Sequence, residues 1–393
     1  MRAKKILRIV GIVLLLLLLS PLWMYLAWLI TPKKPIRVAI VDKTVLTTQG
    51  TEHESFNWVL KNQRFCRPNG KFYDIAKDYF GFFPGDTGHY ELKGFEQMPG
   101  EEIDKIASRY DMIYITDAYG IYYNEWYKNR EQLERSPLIY GGLSLQDIAV
   151  LKQMKDKKKL IITEFNTIAS PTPSNVINAF ETTFDLHWTG WVGRYFNVLD
   201  STQNPELPHW LTRNYKKQHN NLWPFKKSGI VFVRQDDHIE VLELARHLNK
   251  AVPIIITDYA SAQEYHVPTE MKYPYWFDII APGPSNKIRA SYHLDTNHDG
   301  DILLNAYHIP KVFPAVLEHY RGDYKFFYFC GDFADNPVSQ GQSYFKGIGM
   351  FSGLFYDHGE KEERLSFFWN YYRPMMSTII NRYYEENVRM KAR

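Results

Sequence analysis

Six short strand-like runs constrain this chain most: residues 38–41, 112–116, 160–163, 230–233, 253–257 and 325–329. They are continuous rather than alternating, so each is expected to be buried on both faces. Strands of that kind, separated by helical patterns, predict an α/β class. The layout is a mostly parallel sheet flanked by helices, flavodoxin-like in arrangement. Helical patterns fall at 101–110, at 174–184 after a Ser-Pro-Thr-Pro loop, and at 236–248. Another starts at Ser144, where the Ser-x-x-Asp147 spacing can cap a first turn. Residues 288–294 and 302–307 read as a hairpin, and 361–391 as mostly helical with Pro374 as a break or kink.

The segments Val38-Ala-Ile-Val-Asp42, Ile113-Tyr-Ile-Thr-Asp117 and Ile161-Ile-Thr-Glu164 resemble the class I glutamine amidotransferase-like architecture over roughly residues 36–200. Active members of that class use a cysteine at a sharp, glycine-flanked strand-to-helix turn, with a histidine partner. Here Cys66 sits in Phe-Cys-Arg-Pro and Cys330 in Phe-Cys-Gly-Asp, and neither has glycine on both sides. The resemblance therefore implies a layout and carries over no catalytic residue.

Residues 9–30 are apolar and uncharged. At about 1.5 Å per residue they would span roughly 33 Å as a helix, enough for a hydrocarbon core of about 30 Å. No Ala-x-Ala cleavage site follows. The expectation is one transmembrane anchor over 9–31, with residues 1–8 cytoplasmic and the N-terminus inside. The main body would be extracytoplasmic, a single-pass protein of the cell membrane. Arg2, Lys4, Lys5 and Arg8 before the run against Lys33, Lys34 and Arg37 after it give that orientation. The body would be an α/β domain over 36–358, with irregular insertions at about 200–228 and 259–320, and a helical segment over 359–393.

Those seven basic residues sit in a stretch without acids, which leaves 40 basic against 44 acidic groups in the remainder. The body has no basic field, and nucleic acid is not an expected partner. Two cysteines make no disulfide framework. Aromatic residues reach 16%. They either fill a large core or line a groove that stacks on sugars.

Carboxylates follow the strands: Asp42, Asp117, Glu164 and Asp258 directly, and Asp332 three residues beyond Phe329. In open parallel sheets, ligands bind outside the carboxyl ends of the strands. Asp117, Glu164 and Asp258 are the candidate acid–base residues for glycosidic cleavage, with Asp42 and Asp332 as ligand-binding residues. The competing reading is that each acid caps a helix or closes a turn. Trp188, Trp191 and Arg194, interleaved with glycines, suit either a sugar-binding loop or a bent strand with rings packed inward.

Asp295, Asn297, Asp299 and Asp301 match the opening of a calcium loop, but the twelfth position is Ala306 where a bidentate acid belongs. Asp-Gly there also signals a turn. No histidine pair has zinc spacing, and no cofactor other than Ca²⁺ is suggested. The expected function is binding or processing of a cell-envelope polysaccharide. The alternative is a non-catalytic accessory or scaffold subunit of an envelope protein complex.

Overall fold

The computed structural model describes residues 18–128, 135–320, 322–359 and 363–390. Fourteen strands build two sheets. They are β1 Val38–Asp42, β2 Phe80–Pro84, β3 Tyr90–Lys93, β4 Met112–Asp117 and β5 Leu160–Glu164. Then come β6 Leu186–Phe196, β7 Gly229–Arg234, β8 Ile239–Glu243, β9 Ile254–Thr257 and β10 Glu270–Lys272. The last are β11 Trp276–Pro282, β12 Lys287–His293, β13 Val312–His319 and β14 Lys325–Phe329. The large sheet has ten strands in the order β10-β9-β12-β13-β14-β5-β4-β1-β2-β3, and the small one has four in the order β8-β7-β6-β11.

The large sheet corrects the expectation of a mostly parallel one. Four of its nine ladders are parallel, joining β14, β5, β4, β1 and β2. The other five are antiparallel. The small sheet is antiparallel throughout. The misreading has a physical cause. Strand β7, the run at 230–233, is buried almost throughout yet pairs antiparallel on both sides, with β6 and β8. Continuous apolar runs report two-sided burial, whatever the strand direction.

Three helices form where the sequence places them: Gly100–Arg109, Leu145–Asp156 and Ser174–Phe184. Ser144 caps the second, accepting from the Asp147 amide while Asp147 reaches back to the Ser144 amide. Two assignments change. Residues 239–243 are strand β8, because Asp237, with φ of 68°, turns the chain straight back from β7. Residues 302–306 belong to the helix His298–Ala306, with Tyr307 as its C-cap, and β12 pairs instead with β13. Near the C-terminus the chain is helical from Arg364 to Arg389. A π-helical turn, Phe368–Tyr372, precedes Pro374 and absorbs its missing N–H.

The N-terminal run also reads differently. Among the described residues, no helix is long and apolar enough to cross a membrane. The described part of the run is an eleven-residue helix, Ser20–Ile30, and residues 1–17 lie outside the described residues. Its last turn is held by protein. Trp28 is buried and donates its indole N–H to the Lys61 carbonyl at 3.1 Å. The Arg64 guanidinium lies 4.2 Å from the Trp28 ring and donates to the carbonyls of Thr31 and Leu29. Those are the orphan acceptors of the helix C-terminus.

Polar groups are buried between the two sheets as well. Asp278 on β11 is fully buried, and its Oδ2 accepts the Tyr328 hydroxyl. Its Oδ1 has no partner among the described residues, and burial pushes the carboxyl up to about 7. An unfolded aspartate titrates near 3.9, so the folded state holds the extra proton between about pH 4 and 7, and stability falls as pH rises through that window. Asp278→Asn removes this dependence. Its melting temperature is expected to gain on the wild type from pH 4 to pH 8, by the equivalent of about 1–3 kcal/mol. An offset between the two melts that stays constant over that range contradicts the assignment.

Candidate functional site

The parallel half of the large sheet aligns its strand ends along one edge. In register, Asp42 of β1 sits beside Asp117 of β4, and Glu164 of β5 beside Phe329 of β14. Asp332 and Asp335 follow in the loop after β14. Asp42, Asp117, Glu164 and Asp332 therefore share one edge. Strand β9 runs opposite to β14, three antiparallel steps away, so Asp258 lies at the other edge. There it caps the helix Tyr259–Tyr265, accepting from the amide and hydroxyl of Ser261.

Each acid at the shared edge has its own environment. Asp42 is fully buried; its Oδ1 accepts the Thr44 amide at 3.0 Å, and its Oδ2 lies 2.6 Å from His53 Nδ1. The other ring nitrogen of His53 faces the Ile75 carbonyl at 2.8 Å. Both ring nitrogens thus face acceptors, which fixes the ring between β1 and the Ile75 carbonyl. Gly81 lies across Asp42 with φ of 145°, and a Cβ there would sit 1.6 Å from the Asp42 carbonyl oxygen.

Asp117 accepts the Tyr119 amide at 2.6 Å and the Thr44 hydroxyl. Burial pushes its carboxyl up to about 8, and Asp42 and Asp335 add to the shift. Glu52, in the first turn of the helix Thr51–Asn62, is raised well above the usual range by burial and by Asp42, Asp335 and Asp117. Its Oε2 is sealed from solvent with no partner among the described residues. Asp332 is also raised by burial and then by Asp335, Asp117 and Glu164, against the pull of Arg364.

Glu164 plays another part. It is fully buried, its Oε2 accepts the amides of Phe333 and Ala334 at 3.0 Å each, and its Oε1 accepts the Tyr114 hydroxyl. Burial raises its carboxyl as well. Its oxygens are spent on holding the loop that carries Asp332 and Asp335.

The small sheet meets this edge at the loop after β14. The Asp332 amide donates to the Trp276 carbonyl at 3.1 Å, and Phe277 bridges to Gly331. Trp276 stacks on Phe165, the residue after Glu164, with centroids 6.0 Å apart and planes at 19°. The Tyr275 hydroxyl donates to Asp335, and Arg364 pairs with the same carboxylate at 2.9 Å. Arg194 reaches these rings too, 5.2 Å from the Tyr275 ring and 5.4 Å from Trp276, while paired with Glu206.

Trp188 and Trp191 are not brought to the cleft. Both are buried, and Trp188 donates to the Trp191 carbonyl at 3.0 Å across the bulge of β6. The ring neighbours of Trp191 are His238 and Tyr307, with Arg234 over its face. The segment with calcium-loop spacing is a helix start. Asn297 caps His298–Ala306, Asp301 pairs with Lys311, and Asp295 accepts from Asn249. Asp299 lies in the first turn of that helix. Among the described residues, no group of three or more His, Cys, Asp or Glu side chains is arranged to hold a metal ion. Cys66 and Cys330 are both free and buried.

Sequence reasoning missed Glu52, His53, Tyr275, Trp276, Asp335 and Arg364. Glu52 had a legible signal, being a first-turn acid on the helix that follows β1, whose N-terminus must face the carboxyl edge.

No protein-family model and no curated protein matches the chain. Among solved structures, a thuA-like protein from Bacteroides uniformis aligns over 80% of this chain and 90% of its own, at 10% identity and a TM-score of 0.34. A thuA-like protein from Parabacteroides merdae aligns over 76% and 79%, at 10% identity and a TM-score of 0.35. A beta-galactosidase from Bacillus circulans aligns over 80% of this chain, at 9% identity and a TM-score of 0.34. This chain covers 32% of that enzyme's length.

Because Glu164 satisfies two buried amides and a phenol, Glu164→Ala leaves all three without their acceptor. It is expected to cost about 3–5 kcal/mol in urea unfolding, and Glu164→Gln, which keeps one acceptor oxygen, distinctly less. A loss under about 1 kcal/mol for the alanine variant would remove Glu164 as the anchor of the loop.

Proposed function

We propose that the cleft at the carboxyl edge binds a polysaccharide chain and assists cleavage of its glycosidic bonds. The observation that carries this reading is the gathering of Asp42, Glu52, Asp117, Asp332 and Asp335 at one edge, facing a wall of Phe165, Tyr275 and Trp276. Carboxyls accept from sugar hydroxyls, and ring faces stack on the apolar faces of sugar rings. Asp117, pushed up to about 8, still carries its proton at neutral pH and suits the role of general acid. Asp332, whose side chain makes no hydrogen bond among the described residues, is a second carboxyl open to sugar hydroxyls; it too holds its proton, so its role is to bind the ligand beside Asp117. Arg194 and Arg364 border the same wall and donate to ligand oxygens there.

The proton on Asp117 is present below about pH 8 and lost above it, so acid-assisted cleavage falls as pH rises through that value. The test is a screen of oligosaccharides, including peptidoglycan and β-glucan fragments, for binding and reducing-end release. Asp117→Asn is expected to lower turnover by about 10²–10⁴-fold and to flatten the alkaline limb. Trp276→Ala is expected to weaken binding by about ten-fold. Full turnover in both Asp117→Asn and Asp332→Asn, or no saccharide bound at all, defeats the reading.

A second reading is favoured by one surface. Leu22, Trp23, Leu26, Leu29 and Ile30 leave the face of the N-terminal helix away from Trp28 exposed and apolar. Such a face suits an accessory subunit held in a larger protein assembly. On that reading, charge-bearing substitutions at Leu22 and Leu26 abolish function, while the cleft acids are dispensable.

A further inference from the structure

Outside the cleft, the helix Thr51–Asn62 carries a second polar face. His53, Asn57 and Lys61 are spaced four apart and so share one side of it. Beside that side lies a pocket of about 400 Å³, within the range of small-ligand sites. Asn57, Lys61, Phe72, Asp74, Gln340 and Tyr344 line it. Two of its walls are rings held in place, because Phe72 and Tyr344 both pack on the buried Trp28, at 5.5 and 4.9 Å between centroids.

Asn57 is 3% exposed, and its amide orientation is set by the bond from Nδ2 to the His53 carbonyl at 3.3 Å. That leaves Oδ1 buried, with no hydrogen-bond partner among the described residues. An orphaned buried acceptor costs about 1–3 kcal/mol and needs a donor from whatever fills the space. Across the pocket, the Lys61 ammonium reaches Gln340 Oε1 only at 3.4 Å and lies 5.4 Å from the Tyr344 centroid. Gln340 takes one of its three N–H donors and Asp74 holds it by charge, so the ammonium can still donate to a ligand oxygen. A carboxylate or phosphate would suit Lys61 but set lone pairs against Asn57 Oδ1. An amine would suit Asn57 but meet a like charge at Lys61. A hydroxyl both donates and accepts. A water would serve the two polar groups, yet it would leave the ring walls uncovered in a pocket of this size.

We propose that this pocket is a saccharide subsite, in which ligand hydroxyls donate to Asn57 Oδ1 and accept from Lys61 Nζ while a sugar ring covers Tyr344 and Phe72. The assignment stands on the pocket alone and does not require the cleft to be catalytic. The pocket touches the cleft through one path: Ile75, which also lines it, accepts from His53, and His53 holds Asp42.

The test uses the full chain and ligand-observed NMR titration with glucose, galactose, N-acetylglucosamine, acetate and ethylammonium. A hexose is expected to saturate, with affinity reduced about ten-fold by Lys61→Ala and by Asn57→Leu. Lys61 is at the rim, so its alanine variant decides the matter if Asn57→Leu fails to fold. Loss of hexose binding in Asp332→Asn but not in Lys61→Ala overturns the subsite and leaves the cleft reading standing. The reverse pattern supports the subsite whatever becomes of the cleft. Tighter binding of acetate or ethylammonium than of any hexose, or no hexose bound up to ~50 mM, also overturns it.

Discussion

The architecture turns on the carboxyl of Glu164. From the end of β5 it accepts two consecutive amides, those of Phe333 and Ala334, and so fixes the loop that leaves β14. That loop does two things at once. It carries Asp332 and Asp335 over the strand ends. It also binds the small sheet to the large one, through the Phe277–Gly331 bridge and the Asp332–Trp276 bond. The cleft exists because two layers meet at this loop, and a buried carboxyl is what holds the loop still. Backbone donors aimed at one oxygen pair leave little freedom in where the loop sits.

Such an edge is costly to build. Six acids approach one another, and among the described residues Arg364 is the guanidinium paired to one of them, Asp335. Three features offset the repulsion. Asp117, Glu52 and Asp332 hold protons more firmly than isolated carboxyls do, because burial penalises their charged forms. The Asp42 carboxyl is met by the Thr44 amide and by the His53 ring. The helix Thr51–Asn62 points its N-terminus toward the same edge, and its partial positive charge favours the acid in its first turn. By contrast, Lys43 next to Asp42 serves another purpose. It is buried against Glu96, Asp147 and the Gly142 carbonyl, tying β1 to the start of the helix Leu145–Asp156.

What could be read from the chain follows from these physics. The ends of β1, β4 and β5 were legible because parallel neighbours in register must finish together, which puts Asp42 beside Asp117 with no other information. Asp258 was not, because an apolar run is silent about its direction, and β9 runs against β14. Ile239 to Glu243 keeps apolar residues at spacings that suit a helix, yet the left-handed Asp237 makes a hairpin there. Turn conformation overrode periodicity. Arg364, Tyr275 and Trp276 were illegible for a different reason. They arrive from a C-terminal helix and a second sheet, and nothing in their local sequence names the loop they meet. The indoles of Trp188 and Trp191 looked like ligand platforms because Gly190 and Gly193 are interleaved with them, but the bulge there turns both rings inward.

The aromatic load finds its explanation in the same chemistry. Beyond filling the core, phenols serve the buried acids. Tyr114 donates to Glu164, Tyr328 to Asp278, Tyr265 to Glu318, Tyr140 to Glu96 and Tyr275 to Asp335. A phenol suits this position because it supplies a donor on a rigid apolar body without bringing a second charge into the interior. Arginine would pair more strongly but would itself need desolvation. Against that pattern Asp332 stands out. It feels three other acids, Asp335, Asp117 and Glu164, is half-buried, and among the described residues no phenol, amide or hydroxyl donates to its carboxyl. In place of a donor, burial and the neighbouring acids keep a proton on that carboxyl, which spares the interior one more negative charge.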